Sequence, residues 1–396
     1  MTHTISRRRA VTTVALAGLL ASFVMLPALS SSATAASSLR HAGTASPNLP
    51  TGHFLYADNG LSTTNSISGY SINPDGSLTP TPGSPYATGG SQTSSAFVND
   101  IATALNSPGG RRCVFHTDAS GQVESFTVAA NGALREINSI SIADGVNAFA
   151  GDVHVSADGT VVYAAAWAKY GSPSPSVLAT FTVGPVCSIR LAQNLAVSNT
   201  TYFSTALIAA STLMAVDSQN ARIDIYSITD GTALRRLTST PTQLKPEPQG
   251  AASALVGTTT YVFNGLATFA SSFAEAHTVD ARGTLDAVPG SPASDPAGED
   301  GAVLWFDQAN GQLVEGEGFT LGFFGVKNGT LTFLGHAALT TPYFSSAMTQ
   351  LGTHLYVVSQ TSPPIESCVL SYGAARCTQA ARLPGGSDGS DGIGVL

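Results

Sequence analysis

Charge is scarce in this chain. Lysine and arginine number 17 and aspartate and glutamate 25 among 396 residues, so only 11% of positions are charged. Long exposed helices laced with ion pairs need a far richer supply, and none are expected. Cysteine is limited to four residues and tryptophan to two. No C-x-x-C pair occurs, which removes a zinc cluster or a dithiol redox centre from consideration. Also missing are H-E-x-x-H, G-x-x-x-x-G-K-[ST] and G-x-G-x-x-G, so a zinc-peptidase helix, a phosphate loop and a dinucleotide site have no sequence support. Beyond one N-terminal stretch there is no apolar run long enough to span a bilayer, and there are no heptads.

That N-terminal stretch reads as a processing segment. Ser6-Arg7-Arg8-Arg9 precedes an apolar run from Ala10 to Leu29, and Ala33-Thr34-Ala35 supplies an A-x-A cleavage signal before Ala36. Residues 1–35 are expected to be an export signal peptide, by the twin-arginine or the general secretory route, with an uncleaved anchor as the alternative. Residues 36–52, polar and proline-containing, are expected to form a disordered leader. Removing the peptide takes away three arginines and no acid, leaving 14 basic against 25 acidic residues. Such a surface repels phosphate, so nucleic acid is not an expected partner, nor is the membrane after cleavage. In an exported chain the even cysteine count points to disulfides, with three connectivities possible. Cys368 and Cys377 flank a predicted hairpin turn, which favours a bridge between them, and Cys113–Cys187 is the accompanying expectation.

Glycine is abundant, at 40 residues, and so is one recurring hairpin. Tyr70-Ser-Ile-Asn-Pro-Asp-Gly-Ser-Leu78 reads as a strand end, a tight turn and the start of the next strand. It returns as Phe126-Thr-Val-Ala-Ala-Asn-Gly-Ala-Leu134, Tyr226-Ser-Ile-Thr-Asp-Gly-Thr-Ala-Leu234, His277-Thr-Val-Asp-Ala-Arg-Gly-Thr-Leu285 and Phe323-Phe-Gly-Val-Lys-Asn-Gly-Thr-Leu331, with degraded copies opening at Phe181 and Leu370. The seven openers are separated by 56, 55, 45, 51, 46 and 47 residues. This predicts an all-β seven-bladed β-propeller of four-stranded blades over residues 53–396. The first repeat lacks an inner strand, and Asp391-Gly-Ile-Gly-Val-Leu396 resembles inner strands such as Asp300-Gly-Ala-Val-Leu304. The C-terminal strand is therefore expected to close the ring and remove a free sheet edge, a frayed tail being the alternative.

Phe54-Leu-Tyr-Ala-Asp-Asn59, followed by Ser66-Ile-Ser-Gly-Tyr-Ser-Ile72, Gly76-Ser-Leu78 and Pro82-Gly-Ser-Pro85, resembles a blade of the seven-bladed lactonase family, which includes the bacterial 6-phosphogluconolactonase-type propellers. Val288-Pro-Gly-Ser-Pro292 repeats the signature in blade 5. The resemblance implies the propeller fold and lactone-ring hydrolysis. It also has a gap. Family blades often open their inner strand with Pro-His, and here Ala150-Gly151 and Pro248-Gln249 stand at the corresponding places. No catalytic role of such a histidine transfers to this chain.

Aligning the residues that lead into the seven inner strands gives Asp100, Asp152, Ser204, Gln249, Asp300, Tyr343 and Asp391. Asp100, Asp152, Asp300 and Asp391 are expected to ring one mouth of the central channel, with Glu299 beside Asp300. Oxygen ligands from several blades suit Ca²⁺ or another divalent cation, which would polarise a lactone carbonyl or activate water. Without a cation the ring would be mutually repulsive, raising some carboxylate pKa values and giving a general base. Solvated turn residues are the plain alternative. Asp152 and His154 lie two apart on one strand and share a face, so they are candidates for a general-base pair, against a packed histidine. Trp167 beside Tyr170, together with Tyr343 and Gln249, are the candidate substrate contacts, and an aromatic there either stacks on a sugar or covers the blade. His277 reads as packing, and His116-Thr-Asp118 as polar surface. The expected function is an exported, monomeric, lactonase-like hydrolase of a sugar-type lactone. The alternative is a non-catalytic propeller that binds a glycan or an extracellular protein.

Overall fold

Each copy of the repeat folds as a hairpin for a local reason. In the first, Asn73 N–H donates to the Ser77 carbonyl at 2.9 Å, and Asp75 accepts from the N–H and hydroxyl of Ser77 at 3.0 and 2.7 Å. Gly76 sits at φ +83°, a left-handed conformation that a side chain disfavours. The computed structural model describes residues 52–59, 65–89, 100–143, 148–168, 174–243, 247–268, 271–296, 303–316, 318–340, 345–359, 362–384, 390 and 392–396. The expected signal peptide and leader lie outside these residues, Gly52 apart. All seven openers, from Tyr70 to Leu370, are buried, because each begins the hairpin that packs one blade on the next.

The strands pair into seven antiparallel sheets, the blades of a propeller. Inner strands run Ile101–Ser107, Ala148–Val155, Tyr202–Ile208, Glu247–Val256, Val303–Asp307 and Ser345–Leu351 in blades 2 to 7. Blade 1 takes its inner strand, Ile393–Val395, from the far end of the chain, pairing Leu55 with Val395 and Ala57 with Ile393. The ring closes as the sequence predicts. Blades 1 and 5 have broken outer edges. Leu78–Pro80 and Tyr86–Ala87 both pair with Ser66–Ile72, and Leu285–Ala287 and Ala293–Asp295 both pair with Ser271–Val279. The Pro-Gly-Ser-Pro segments fall in the gaps, where proline has no N–H to give a ladder.

The core lies between blades rather than in one centre. Phe115 of blade 2 packs with Val162 and Phe181 of blade 3, Phe263 of blade 5 with Phe324 of blade 6, and Tyr356 of blade 7 with Leu55 of blade 1. Two polar devices recur across these seams. The hydroxyls of Tyr56, Tyr163 and Tyr356 donate to the carbonyls of Gly132, Gly231 and Gly76, the turn glycines of the next blade, at 2.9, 3.1 and 3.2 Å. Buried Glu124, Glu275 and Glu366 accept the N–H groups of Gly89, Gln243 and Thr340 at 2.7, 2.9 and 2.8 Å. Each of these donors lies in the connection arriving from the preceding blade. A buried carboxylate bonded to a backbone N–H is a strong tie, and it fixes how one blade is handed to the next.

Both expected disulfides form. Cys368–Cys377 joins directly opposed residues of blade 7, and Cys113–Cys187 links blade 2 to a turn of blade 3. Two disulfides are compatible with export to an oxidising compartment. No helix among the described residues is long and apolar enough to cross a membrane.

Candidate functional site

Inner strands carry small residues and bulges at their starts, and this shapes a cavity in the channel. In blade 3, Val153 pairs with Ala164 and Ala150 with Ala166, so Gly151 and Asp152 together oppose one residue. Similar register breaks fall at Phe203, Gln249 and Ser346 in blades 4, 5 and 7. A bulge bends the strand and re-aims its side chains. The inner strands of blades 3 to 7 enclose a cavity of about 260 Å³. Its wall is polar on one side, with Asp152, His154 and Ser204, and apolar on the other, with Trp305, Phe306 and Met348.

Asp152 and His154 do come together, and the next blade holds both. Asp152 is 2% exposed, and its Oδ2 accepts from Thr205 N–H at 2.6 Å, Thr205 Oγ1 at 3.1 Å and Ser204 Oγ at 3.2 Å. His154 Nε2 lies 2.9 Å from the Thr205 carbonyl and 3.4 Å from Asp152 Oδ2. Facing two acceptors, Nε2 carries a proton. Nδ1 makes no hydrogen bond with the described residues, and the side chain is 25% exposed in the wall it helps to line. Burial pulls the imidazole pKa down, but the Asp152 charge and hydrogen bond, with the Thr205 carbonyl, outweigh it and leave the pKa raised.

Other expected site residues fall elsewhere. Asp300, Tyr343 and Asp391 lie outside the described residues, as do Glu299 and Tyr170. Trp167 and Gln249 are half-buried, and neither lines the cavity. The expected cation ring also divides. Asp152 is taken up by the hydroxyl and N–H donors of blade 4, whereas buried Asp100 groups with Asp58 and His116. Among the described residues, no group of three ligating side chains includes Asp152. His116 and Asp118 are buried, not surface, because the hairpin that carries them is covered by blade 1 and its closing strand. His277 is buried as expected, with Nε2 2.7 Å from Glu275 Oε1.

Trp305 and Thr205 are among the cavity residues that the sequence reading missed. Reading the blade 6 inner strand as Asp300–Leu304 ends it before Trp305, whereas the observed strand is Val303–Asp307. The signal present was the apolar run Val303-Leu-Trp-Phe306, which fits a strand buried on both faces. Trp305 is anchored by its Nε1–H, which donates to Gln350 Oε1 at 2.8 Å.

Fold and site together define a seven-bladed propeller with a channel cavity walled by an aspartate–histidine pair. No family profile and no curated protein matches the chain. Solved structures do match. A Lactobacillus plantarum protein aligns over 88% of this chain and 100% of its own, at 15% identity and a TM-score of 0.66. A provisionally assigned 6-phosphogluconolactonase from Bacteroides uniformis aligns over 89% and 100%, at 16% identity and 0.63. The periplasmic gluconolactonase of Pseudomonas aeruginosa aligns over 87% and 99%, at 16% identity and 0.60. The chain thus has the fold of the lactonase-type seven-bladed propellers, and at these identities the likeness is one of fold.

Proposed function

We propose that the protein is an exported, monomeric, lactonase-like hydrolase that opens a sugar-type lactone in the channel cavity. The observation that carries this reading is the Asp152–His154–Thr205 arrangement, which anchors one ring nitrogen of a histidine that lines the cavity and leaves the other without a hydrogen bond to the described residues. In the neutral imidazole, Nδ1 takes a proton from water as the water oxygen bonds to the lactone carbonyl carbon. The tetrahedral adduct then expels the ring oxygen, which receives that proton from His154, and the product is the open hydroxy acid. Asp152 fixes the ring and stabilises its protonated form. Trp305 and Phe306 offer apolar faces to a sugar ring. Among the described residues the lining contains no lysine or arginine, which favours an unphosphorylated lactone. The periplasmic gluconolactonase among the fold neighbours supports the substrate class and the exported setting.

A specific observation favours the second reading, a propeller that binds a glycan or an extracellular protein without turnover. Among the described residues only two titratable side chains, Asp152 and His154, line the cavity. One experiment separates the readings. The protein is offered a panel of γ- and δ-aldonolactones, with acid release followed by a pH indicator. Hydrolysis above the buffer rate, lost in His154→Gln and Asp152→Asn variants that still unfold cooperatively, supports the enzyme. Lactone or glycan binding with no wild-type turnover moves the binding module to first place.

A further inference from the structure

We propose that Asp58, Asp100 and His116 form a binding site for a divalent transition-metal ion, with Zn²⁺ the best match, on the seam between blades 1 and 2. Asp58 ends the strand Phe54–Asp58 of blade 1, where its N–H is bonded to the Gly392 carbonyl of the closing strand. Asp100 directly precedes Ile101–Ser107, and His116 lies in Arg111–Thr117, both of blade 2. One ligating atom from each of the three lies within 4.8 Å of the others, and all three residues are buried.

Asp58 marks this as more than a cluster of acids. Its side chain is fully buried, yet neither carboxylate oxygen accepts a hydrogen bond from any described residue. His116 Nε2 lies 3.3 Å from Asp58 Oδ1, and it too makes no hydrogen bond. Among the described residues the one ion-pair partner of Asp58 is His116, and only while its ring is protonated. Beside a neutral ring the buried carboxylate has no donor, and a cation would repay its lost hydration. Two ligands about 2.0–2.1 Å from a tetrahedral zinc lie roughly 3.3 Å apart, which is the observed Nε2–Oδ1 separation.

The other ring nitrogen is arranged accordingly. His116 Nδ1 is 2.9 Å from Glu124 Oε2, while Glu124 Oε1 is fixed by the Gly89 N–H at 2.7 Å. When a metal displaces the Nε2 proton, the proton on Nδ1 stays with Glu124 and the Nε2 lone pair is directed at the ion beside Asp58. Carboxylate to imidazole to metal is the usual order at histidine-ligated ions, because the outer carboxylate sets the tautomer and raises ligand basicity. Charge points the same way. Asp58 and Glu124 flank one imidazole, and neither forms an ion pair with a lysine or arginine of the described residues. A dication offsets two negative charges. The mixed nitrogen and oxygen set suits Zn²⁺ or Mn²⁺ better than Ca²⁺, which prefers oxygen alone.

The site shares no residue with the channel cavity lining, so it stands or falls apart from the hydrolase reading. Its placement gives it a structural role. An ion there ties the blade that closes the ring to its neighbour, and metal binding adds to folding stability.

The test uses the full chain, stripped with a chelator and dialysed separately against Zn²⁺, Mn²⁺ and Ca²⁺. One equivalent of Zn²⁺ or Mn²⁺ is expected by mass spectrometry of metal content, with a rise in melting temperature. Affinity should fall at least about tenfold in Asp58→Asn and in His116→Gln, and remain in His154→Gln. Should the first two variants not fold, the wild-type chain still decides. Co²⁺ should give the visible bands of a nitrogen- and oxygen-ligated ion, and Zn²⁺ should shift the ¹⁵N signal of His116 Nε2. No stoichiometric ion, binding that survives in both folded variants, or an unmoved His116 signal overturns the proposal.

Discussion

Removing residues 393–396 should unfold this propeller, and the cost can be worked from its contacts. Ile393 and Leu396 are 0% and 2% exposed, so the deletion empties two filled core positions. Losing a buried aliphatic side chain typically costs about 2–5 kcal/mol, or roughly 4–10 for the pair. Backbone bonds go as well. Phe54 N–H loses the Leu396 carbonyl at 2.9 Å and the Phe54 carbonyl loses the Leu396 N–H at 2.8 Å, while the Leu55, Tyr56 and Ala57 pairings disappear. At about 1 kcal/mol net for each of a few bonds, the total comes to roughly 6–15 kcal/mol. That matches the whole stability of an ordinary protein, about 5–15 kcal/mol. The truncated chain should therefore show no cooperative melting transition and should expose the Phe54–Asp58 edge to self-association. Ile393→Ala is the graded version. About 2–5 kcal/mol, set against an unfolding entropy near 0.7 kcal/mol/K for a domain of some 350 residues, lowers the melting temperature by about 3–7 °C. Circular dichroism melts with light scattering read both effects. A truncated protein that stays monomeric and melts within about 2 °C of the intact one would refute the closure energetics, since that shift corresponds to only about 1.4 kcal/mol.

Further outcomes follow from the same geometry. If His154 acts as the base, lactone hydrolysis should rise with pH through its raised pKa, because Nδ1 must be unprotonated, and His154→Gln should abolish that limb. Folding raises this pKa above the ordinary 6.5, so the His154–Asp152 pair stabilises the fold fully below that pH and fades as pH climbs through the folded value. The stability gap between wild type and His154→Gln, from urea curves, should accordingly shrink from about pH 5.5 to pH 9. Replacing Cys113 and Cys187 by alanine should cost more than replacing Cys368 and Cys377. Sequence separations of 74 and 9 correspond to about 4.5 and 2.7 kcal/mol of chain entropy, and equal losses would speak against that origin. Gly76→Ala should lose more stability than Gly257→Ala. Both sit at positive φ, but a Cβ on Gly76 collides with the His354 ring at Nδ1 whereas Gly257 faces open space. Strain and contact together should cost Gly76→Ala about 1–3 kcal/mol beyond the control in thermal melts.

The sequence by itself determined the repeat, and with it the propeller. An aromatic opener and an Asp-Gly or Asn-Gly turn every fifty residues specify hairpins locally, through side chain–backbone bonds such as Asp75 to Ser77 that need no tertiary partner. Ring closure was legible too, since one inner strand was missing at the start and an unmatched Ile-Gly-Val lay at the end. So was the shared face of Asp152 and His154, which follows from strand alternation. Tertiary structure alone decided what those residues face. Bulges at the starts of the inner strands shift side chains in a way that spacing does not register, so Asp152 turns to Thr205 while Asp100 joins Asp58 and His116 across a different seam. The same holds for His116. Beside a turn in a polar stretch it looks like surface, and only the packing of blade 1 and its closing strand buries it between Asp58 and Glu124. A period of about fifty residues fixes how many blades there are. Which side chains meet between blades depends on contacts more than forty residues apart, such as Asp58 to Asp100, and these exist only once neighbouring blades have packed.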